Sequence, residues 1–157
     1  GLEVLEWAHA NETAVITFAP LQHGLLAGRY TKDSVAKFAK AGDPLRPALY
    51  WFQEPTFSRS LELVEMIRPV AARHDVSVAA VAIAWSLAWA GVTGAICGAR
   101  TPEQLDDFLV AAGLTLSETD LDEIAAAIET SRAGVGTSGD GPSRPIQDWA
   151  TYGKESA

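Results

Sequence analysis

Two short apolar runs, residues 14–18 and 92–97, constrain the fold more than any other feature of this chain. Each run is almost uninterrupted, a pattern typical of a strand that is buried on both faces of a parallel sheet. Helical patterns precede, separate and follow the two runs, which favours a parallel α/β architecture. Two strands alone cannot bury both faces of a sheet, and the first helical pattern, residues 1–10, begins without a capping residue. We therefore expect the chain to be a piece of a longer protein.

The stretch between the two runs is predicted to hold a long loop and two helices. Residues 21–57 show no sustained period, and a loop of that length inside a compact domain is usually functional. A helix is expected from an N-cap at Ser58 to about residue 74, with Pro69 kinking or restarting it. An alanine-rich helix over residues 78–89 follows the N-cap Ser77 and ends at Gly91.

Two more helices are predicted after the second run. Thr101, Pro102 and Gln104 form the pattern of a capping box, so a helix is expected from there to about residue 113. Ser117 is the expected N-cap of a last helix that runs to about residue 130. Residues 1–131 are thus predicted to form one unit. Residues 132–157, dominated by Gly, Ser, Thr and Pro, are predicted to be a flexible tail in which Ile146, Trp149 and Tyr152 have the bulk to dock.

The charge of the chain limits its partners. The 157 residues carry a formal net charge of −8, and such a surface repels both phosphate backbones and anionic lipid. We therefore expect no nucleic-acid partner and no membrane partner, although a small anionic ligand can still bind at a local positive field. The single cysteine, Cys97, cannot form an internal disulfide. With no apolar stretch suited to a membrane span, a cytoplasmic location is expected.

Two motifs carry a resemblance to a known family. Residues 18–30 read FAPLQHGLLAGRY and residues 98–105 read GARTPEQL. Both resemble the aldo-keto reductase family, and more closely its branch of bacterial reductases and potassium-channel β-subunit homologues. Between them, residues 71–74 and 81–85 are similar to the penultimate barrel helix of that family. The resemblance covers about residues 1–130, and the order and separation of the motifs make it specific.

The resemblance implies an α/β fold, the C-terminal part of a (β/α)8 TIM barrel. A typical barrel needs about 250 residues, so this chain would supply the seventh and eighth strands with their flanking helices. The family's catalytic Tyr, Lys, Asp and His come from earlier strands, and no residue here matches them. His9, His23 and His74 do not match the family's catalytic motifs. We therefore assign no catalytic residue and no metal ligand in this chain.

The second motif has the chemistry of a phosphate site. In barrels of this kind, ligands bind at the carboxyl ends of the strands, often with a phosphate after strands seven and eight. Gly98 gives room for close approach, and the helix that begins at Pro102 directs free N–H groups towards the same point. Arg100 adds a planar charged group that suits phosphate. By resemblance, Arg100 and Gln104 hold the adenosine 2′-phosphate of NADP. The alternative is a well-capped helix beside a solvated arginine.

The first motif is implied by the resemblance to hold the rest of the cofactor. Phe18 would stack on the nicotinamide, although a core phenylalanine is the alternative. Ala19 stands where many relatives carry Ser. Arg29 stands where many relatives carry Lys, and the alternative is that it is a surface arginine with no ligand. After Gln104 the family's acidic residue is kept as Asp107, but Phe108 replaces its Asn and leaves the adenine contact in doubt. The predicted cofactor-binding residues are Phe18, Ala19, Pro20, Leu21, Gln22, Gly24, Arg29, Gly98, Arg100, Gln104 and Asp107.

Three functions remain open at this point. The leading hypothesis is an NADP-dependent oxidoreductase that reduces a small aldehyde or ketone to an alcohol, in which this chain supplies the cofactor-binding part and is inactive alone. The second is a non-catalytic NADP-binding regulatory subunit, and the third is an inactive truncated fragment. The identity of the carbonyl substrate and the oligomeric state do not follow from the sequence.

Overall fold

A computed structural model describes residues 1–133 and 142–151. In chain order, its elements are helix α1, strand β1, helices α2, α3 and α4, strand β2, and helices α5 and α6. Their bounds are Leu2–Ala10 (α1), Val15–Phe18 (β1), Ser34–Lys40 (α2), Thr56–Arg73 (α3), Val78–Leu87 (α4), Val92–Ile96 (β2), Pro102–Leu109 (α5) and Glu118–Ser131 (α6). The predicted order of helices and strands is therefore confirmed, with one helix added.

The two strands pair in parallel. Val15 lies opposite Val92, and Phe18 lies opposite Ile96. Because the pairing is parallel, the carboxyl ends of both strands lie at one edge of the sheet. The prediction that the strands are buried on both faces is wrong for the described residues, since Ile16 and Ile96 are each 60% exposed and Phe18 is 80% exposed. The helices of the described chain cover one face of a two-stranded sheet and leave the other open.

The core lies where α3, α4 and α6 meet. Val81 and Leu121 are fully buried there, together with Val64 and Ile124. A second cluster joins α4 to the loops that follow the strands and includes Leu21, with the half-buried Cys97 and Phe108 packed against it. The loop that follows β1 is thus anchored on α4.

Two N-caps form as predicted. The Ser77 hydroxyl accepts a hydrogen bond from the Ala80 N–H at 3.0 Å, and α4 starts at the next residue. Ser117 and Asp120 form a full capping box at the start of α6. In both cases the spacing along the chain was sufficient to identify the cap, because the hydrogen bond closes within three residues.

Five local predictions are corrected by the structure. The loop over 21–57 contains α2 and three short 3₁₀ helices. Helix α3 starts at Thr56, and Ser58 lies inside it with its hydroxyl on the Glu54 carboxylate at 2.9 Å. Helix α3 continues through Pro69 without a restart, because buried side chains on both sides of it hold the helix in place, and a kink at Pro69 stays a prediction. Helix α4 ends at Leu87, two residues early, and α5 gives way at Leu109 to a 3₁₀ turn.

The described part of the C-terminal segment packs on the body of the chain. Ile146 is buried, its carbonyl accepts from the Ala90 N–H at 2.8 Å, and Trp149 Nε1 donates to the Ala90 carbonyl at 3.0 Å. Arg144 pairs with two carboxylates of α6, Glu118 and Asp122. The docking expected for Ile146 and Trp149 is therefore present, while Tyr152 lies outside the described residues. The division of the chain at residue 131 stays a prediction.

Within the described residues, no single helix is long and apolar enough to cross a membrane. Helices α3 and α4 pass that test only when taken together, and they meet at an angle of 90°.

Candidate functional site

The loop after β1 is built from left-handed residues. Gln22, His23 and Gly24 follow one another at φ values of 45°, 57° and 87°, and Ala19 is also left-handed at 53°. Main-chain bonds close this loop, from the Gln22 N–H to the Ala19 carbonyl and from the Gly24 N–H to the Leu21 carbonyl, each at 2.9 Å. Three successive left-handed residues turn the main chain sharply at the carboxyl edge of the sheet.

Some main-chain donors of this loop have no protein acceptor among the described residues, and the His23 N–H is one of them. The N–H groups of Gln22 and Gly24 each have one. An N–H group at a concave main-chain turn is a donor that suits an anion. The loop therefore has a main-chain N–H group that a ligand can accept from, while its Leu21 side chain is buried.

The turn after β2 presents a cation. Gly98 and Arg100 are exposed, and a Cβ placed on Gly98 would meet nothing within 4 Å. In the part of the chain that the structure describes, the Arg100 guanidinium forms no ion pair or hydrogen bond with the protein. Gln104 fixes the turn instead, since its Oε1 accepts from the Arg100 N–H at 2.8 Å. The main chain of Arg100 is thus fixed by a hydrogen bond, and its guanidinium is exposed.

The expected capping box at α5 is not formed. Thr101 is the N-cap and Pro102 is in the first turn, but the Thr101 side chain makes no cap bond to the helix. Glu103 takes that place: hydrogen bonds from its own N–H and from the Thr101 hydroxyl lower the pKa of its carboxyl group. A carboxylate therefore lies at the N-terminus of α5, where it offsets the attraction of the helix for other anions. The positive charge of this turn comes from Arg100.

Arg29 and Asp107 join the two motifs. Arg29 Nη2 lies 3.9 Å from Asp107 Oδ2, which links the end of the first loop to α5. Arg29 is 56% exposed, so its guanidinium remains accessible. Phe108, which replaces the family's Asn, packs in the cluster with Leu21.

Phe18 and Cys97 occupy different settings at the strand ends. Phe18 is 80% exposed, so it is not a core phenylalanine of the described chain. Cys97 is half-buried and packs as a small apolar residue, and burial raises the pKa of its thiol. A raised pKa keeps a thiol protonated and unreactive, which agrees with a structural role.

A cavity of about 270 Å³ lies beside the strand end. Phe18, Ala19, Pro20 and Gln22 contribute to its wall, and the remaining lining residues come mostly from α3, α4 and α6. No charged side chain lines it. The cations Arg29 and Arg100 are not among its lining residues, so this cavity offers a phosphate group no cationic partner.

Three residues outside the predicted cofactor-binding set also contact this region: Tyr30 and Glu103, which lie within the motifs without an assigned role, and Trp51. Glu103 places the carboxylate described above. Tyr30 donates from its hydroxyl to the His23 carbonyl at 3.1 Å, and Trp51 stacks on the His23 ring with centroids 6.2 Å apart. Glu103 was recognisable as an acid in the first turn of a predicted helix. The other two contacts depend on the path of the loop and have no sequence signal.

Comparison with known proteins assigns the family. Residues 2–129 match the aldo/keto reductase family, and so the chain belongs to that family. The resemblance carried by the two motifs is thereby confirmed. Among the described residues, no group of three or more His, Cys, Asp or Glu side chains has the arrangement of a metal site.

Three similar proteins show the range of the family. The NADH-specific methylglyoxal reductase of Escherichia coli (strain K12) is 30% identical over 130 residues, which are 81% of this chain and 38% of that protein. Aldo-keto reductase yakc [NADP(+)] of Schizosaccharomyces pombe is 29% identical over 80% of this chain and 36% of that protein. The structure of a glycerol dehydrogenase from Gluconobacter oxydans superposes with a TM-score of 0.72 at 27% identity, over 82% of this chain and 38% of that one. The chain thus has an α/β fold similar to part of an aldo-keto reductase and spans less than two fifths of these relatives.

Proposed function

We propose that this chain is the C-terminal part of an aldo-keto reductase barrel, with β1 and β2 as its seventh and eighth strands, and that it binds NADP. In this proposal Phe18, Ala19, Pro20, Leu21, Gln22, Gly24, Arg29, Gly98, Arg100, Gln104 and Asp107 form the cofactor side of the site. The bound cofactor would supply a hydride to the carbonyl carbon of a small aldehyde or ketone. The acid that protonates the oxygen belongs to residues that this chain does not match.

The observation that carries the proposal is the unpaired Arg100 guanidinium at the carboxyl edge. Arg100 directly precedes Thr101, the N-cap of α5, and its main-chain N–H donates to Gln104 Oε1 at 2.8 Å. A planar guanidinium binds phosphate with two parallel hydrogen bonds. Arg100 therefore fits the adenosine 2′-phosphate, the group that distinguishes NADP from NAD. Arg29, 56% exposed, is placed to add charge near the pyrophosphate.

NADH is the competing cofactor, and a specific observation favours it. The Glu103 carboxylate is charged over a wide pH range, since its pKa is lowered, and it lies three residues after Arg100, in the first turn of α5. Like charges at that distance weaken phosphate binding. The E. coli relative is NADH-specific and the S. pombe relative carries NADP(+) in its name, so the family itself does not decide.

Titration of the purified chain with NADPH and with NADH tests the proposal, with quenching of tryptophan fluorescence as the signal. We expect wild type to bind NADPH more tightly than NADH. Arg100→Ala should weaken NADPH by about tenfold or more, the value of a charge-assisted hydrogen bond, and leave NADH unchanged. Arg59→Ala is the matched control, because Arg59 lies on α3 and forms no ion pair among the described residues.

The two cofactor assignments give opposite results. An equal loss for NADPH and NADH in Arg100→Ala removes Arg100 from the 2′-phosphate. Tighter binding of NADH than of NADPH to wild type supports the NADH assignment. If wild type binds neither nucleotide, the chain does not hold the cofactor side of the site.

A further inference from the structure

Tyr30 lies seven residues after His23 and holds its main chain from the carbonyl side. The Tyr30 hydroxyl donates to the His23 carbonyl at 3.1 Å. It also lies against Gly24, where an added Cβ would meet that hydroxyl at 3.2 Å. The tyrosine therefore contacts two of the three consecutive left-handed residues of the loop after β1.

The ring of Tyr30 is itself fixed. It makes edge contacts with Phe38, at a centroid distance of 5.1 Å, and with Phe52, at 5.7 Å. Phe52 is buried beside Leu25 in a small aromatic cluster of the long loop. Edge-to-face contacts of this kind restrict ring orientation, so the Tyr30 hydroxyl is presented to His23 from a rigid support.

The other side of the same residue is open to a ligand. The His23 N–H has no protein acceptor among the described residues, although its carbonyl is bound by Tyr30. A left-handed conformation is strained for a non-glycine residue, and both Gln22 and His23 adopt it. A contact that fixes the His23 carbonyl stabilises this strained conformation and so fixes the orientation of the His23 peptide. The His23 side chain is also restrained, because its ring stacks on Trp51.

We propose that Tyr30 is a positioning residue for cofactor binding: its hydroxyl holds the His23 peptide so that the His23 N–H can donate to the pyrophosphate of the dinucleotide. This inference rests on the proposed function, because it assumes that the dinucleotide lies on this loop. It adds a role for Tyr30 and for the His23 main chain. Tyr30 does not touch the ligand itself.

The test compares Tyr30→Phe with wild type and with Tyr50→Phe. Tyr30→Phe keeps the ring and its contacts with Phe38 and Phe52 and removes only the hydroxyl. Tyr50→Phe is the matched control, since Tyr50 is exposed and its hydroxyl has no partner among the described residues. The probes are NADPH, which has a pyrophosphate, and adenosine 2′-monophosphate, which lacks one. Amide hydrogen exchange of residues 22–24 without ligand is measured in parallel.

We expect Tyr30→Phe to weaken NADPH by about three- to tenfold, the value of one neutral hydrogen bond. Binding of adenosine 2′-monophosphate should stay as in wild type, and exchange at residues 22–24 should become faster. Unchanged NADPH affinity overturns the inference, and so does an equal loss for both probes, which would show a general structural role. Wild type that binds neither probe overturns the proposed function instead.

Discussion

Removing the Asp120 carboxylate should destabilise the chain in a pH-dependent way. Asp120 is 1% exposed, yet it accepts four hydrogen bonds. Its Oδ2 accepts from the Ser117 N–H at 2.8 Å, from the Ser117 hydroxyl at 2.6 Å and from His74 Nε2 at 2.9 Å. Its Oδ1 accepts from Arg73, which also binds Glu123. One side chain thus caps α6 and ties it to the end of α3.

The direction of the pH effect follows from the pKa of Asp120. Burial alone would raise that pKa, but hydrogen bonds from Ser117, His74 and Arg73 outweigh burial and hold it well below the usual value. A carboxyl group whose pKa is lower in the folded state stabilises the fold above its unfolded pKa, which is about 3.9. The contribution is therefore present at pH 7 and is lost as the pH falls below about 4 towards the folded pKa.

The size of the effect can be worked from the contacts. Loss of the cap costs about 1 kcal/mol, and leaving Arg73 and His74 without their buried acceptor costs about 1–3 kcal/mol more. Asp120→Ala should then lower the free energy of unfolding by about 2–4 kcal/mol at pH 7. Asp120→Asn should cost less, because the amide keeps one acceptor oxygen, and should reduce the pH dependence.

Urea unfolding at pH 7 and at pH 3, followed by circular dichroism, measures both variants. Asp106→Asn is the control, since Asp106 is exposed and has no ion pair among the described residues. The difference between wild type and Asp120→Asn should be larger at pH 7 than at pH 3. A difference that does not change with pH, or an alanine variant as stable as wild type, would refute the reasoning.

Two further predictions concern the proposed site. Glu103→Gln should tighten NADPH by about two- to threefold by removing a like charge beside Arg100, without affecting NADH; fluorescence titration at low salt measures it, and a loss of NADPH affinity would contradict it. The chain alone should not oxidise NADPH in the presence of small aldehydes or ketones, because it matches none of the family's catalytic residues. A carbonyl-dependent decrease in absorbance at the NADPH band would show that this expectation is wrong.

The parts of the fold that depend on short-range pattern were predictable from the sequence. Ser77 and Ser117 cap their helices as expected because each cap closes within three residues. Ser58 was misassigned because the residues before it, from Thr56, are already helical and Glu54 satisfies its hydroxyl. Helix α2 was missed because it is held by the packing of Phe38 into an aromatic cluster. The sequence around Phe38 has no helical periodicity that would indicate this packing.

The candidate site was predictable only where its residues lie close together in one short motif. Arg100 and Gln104 come from one such motif, and the structure joins them through a single hydrogen bond. The hold of Tyr30 on His23 depends on three left-handed residues between the strand and the 3₁₀ turn, and L-residues seldom adopt that conformation. The ion pair of Arg29 with Asp107 requires both strands to end at the same edge. These contacts follow from the tertiary path of the chain.

Amide hydrogen exchange of the purified chain, with and without saturating NADPH, tests the central claim most directly. The account predicts that NADPH slows exchange in two separate stretches, residues 19–29 and residues 98–108, because these carry the proposed pyrophosphate and 2′-phosphate contacts. Residues 60–73 of α3 should exchange at the same rate in both states. Protection confined to one stretch, protection centred on α3, or no change at saturating NADPH would contradict the claim that this chain holds the cofactor side of the site.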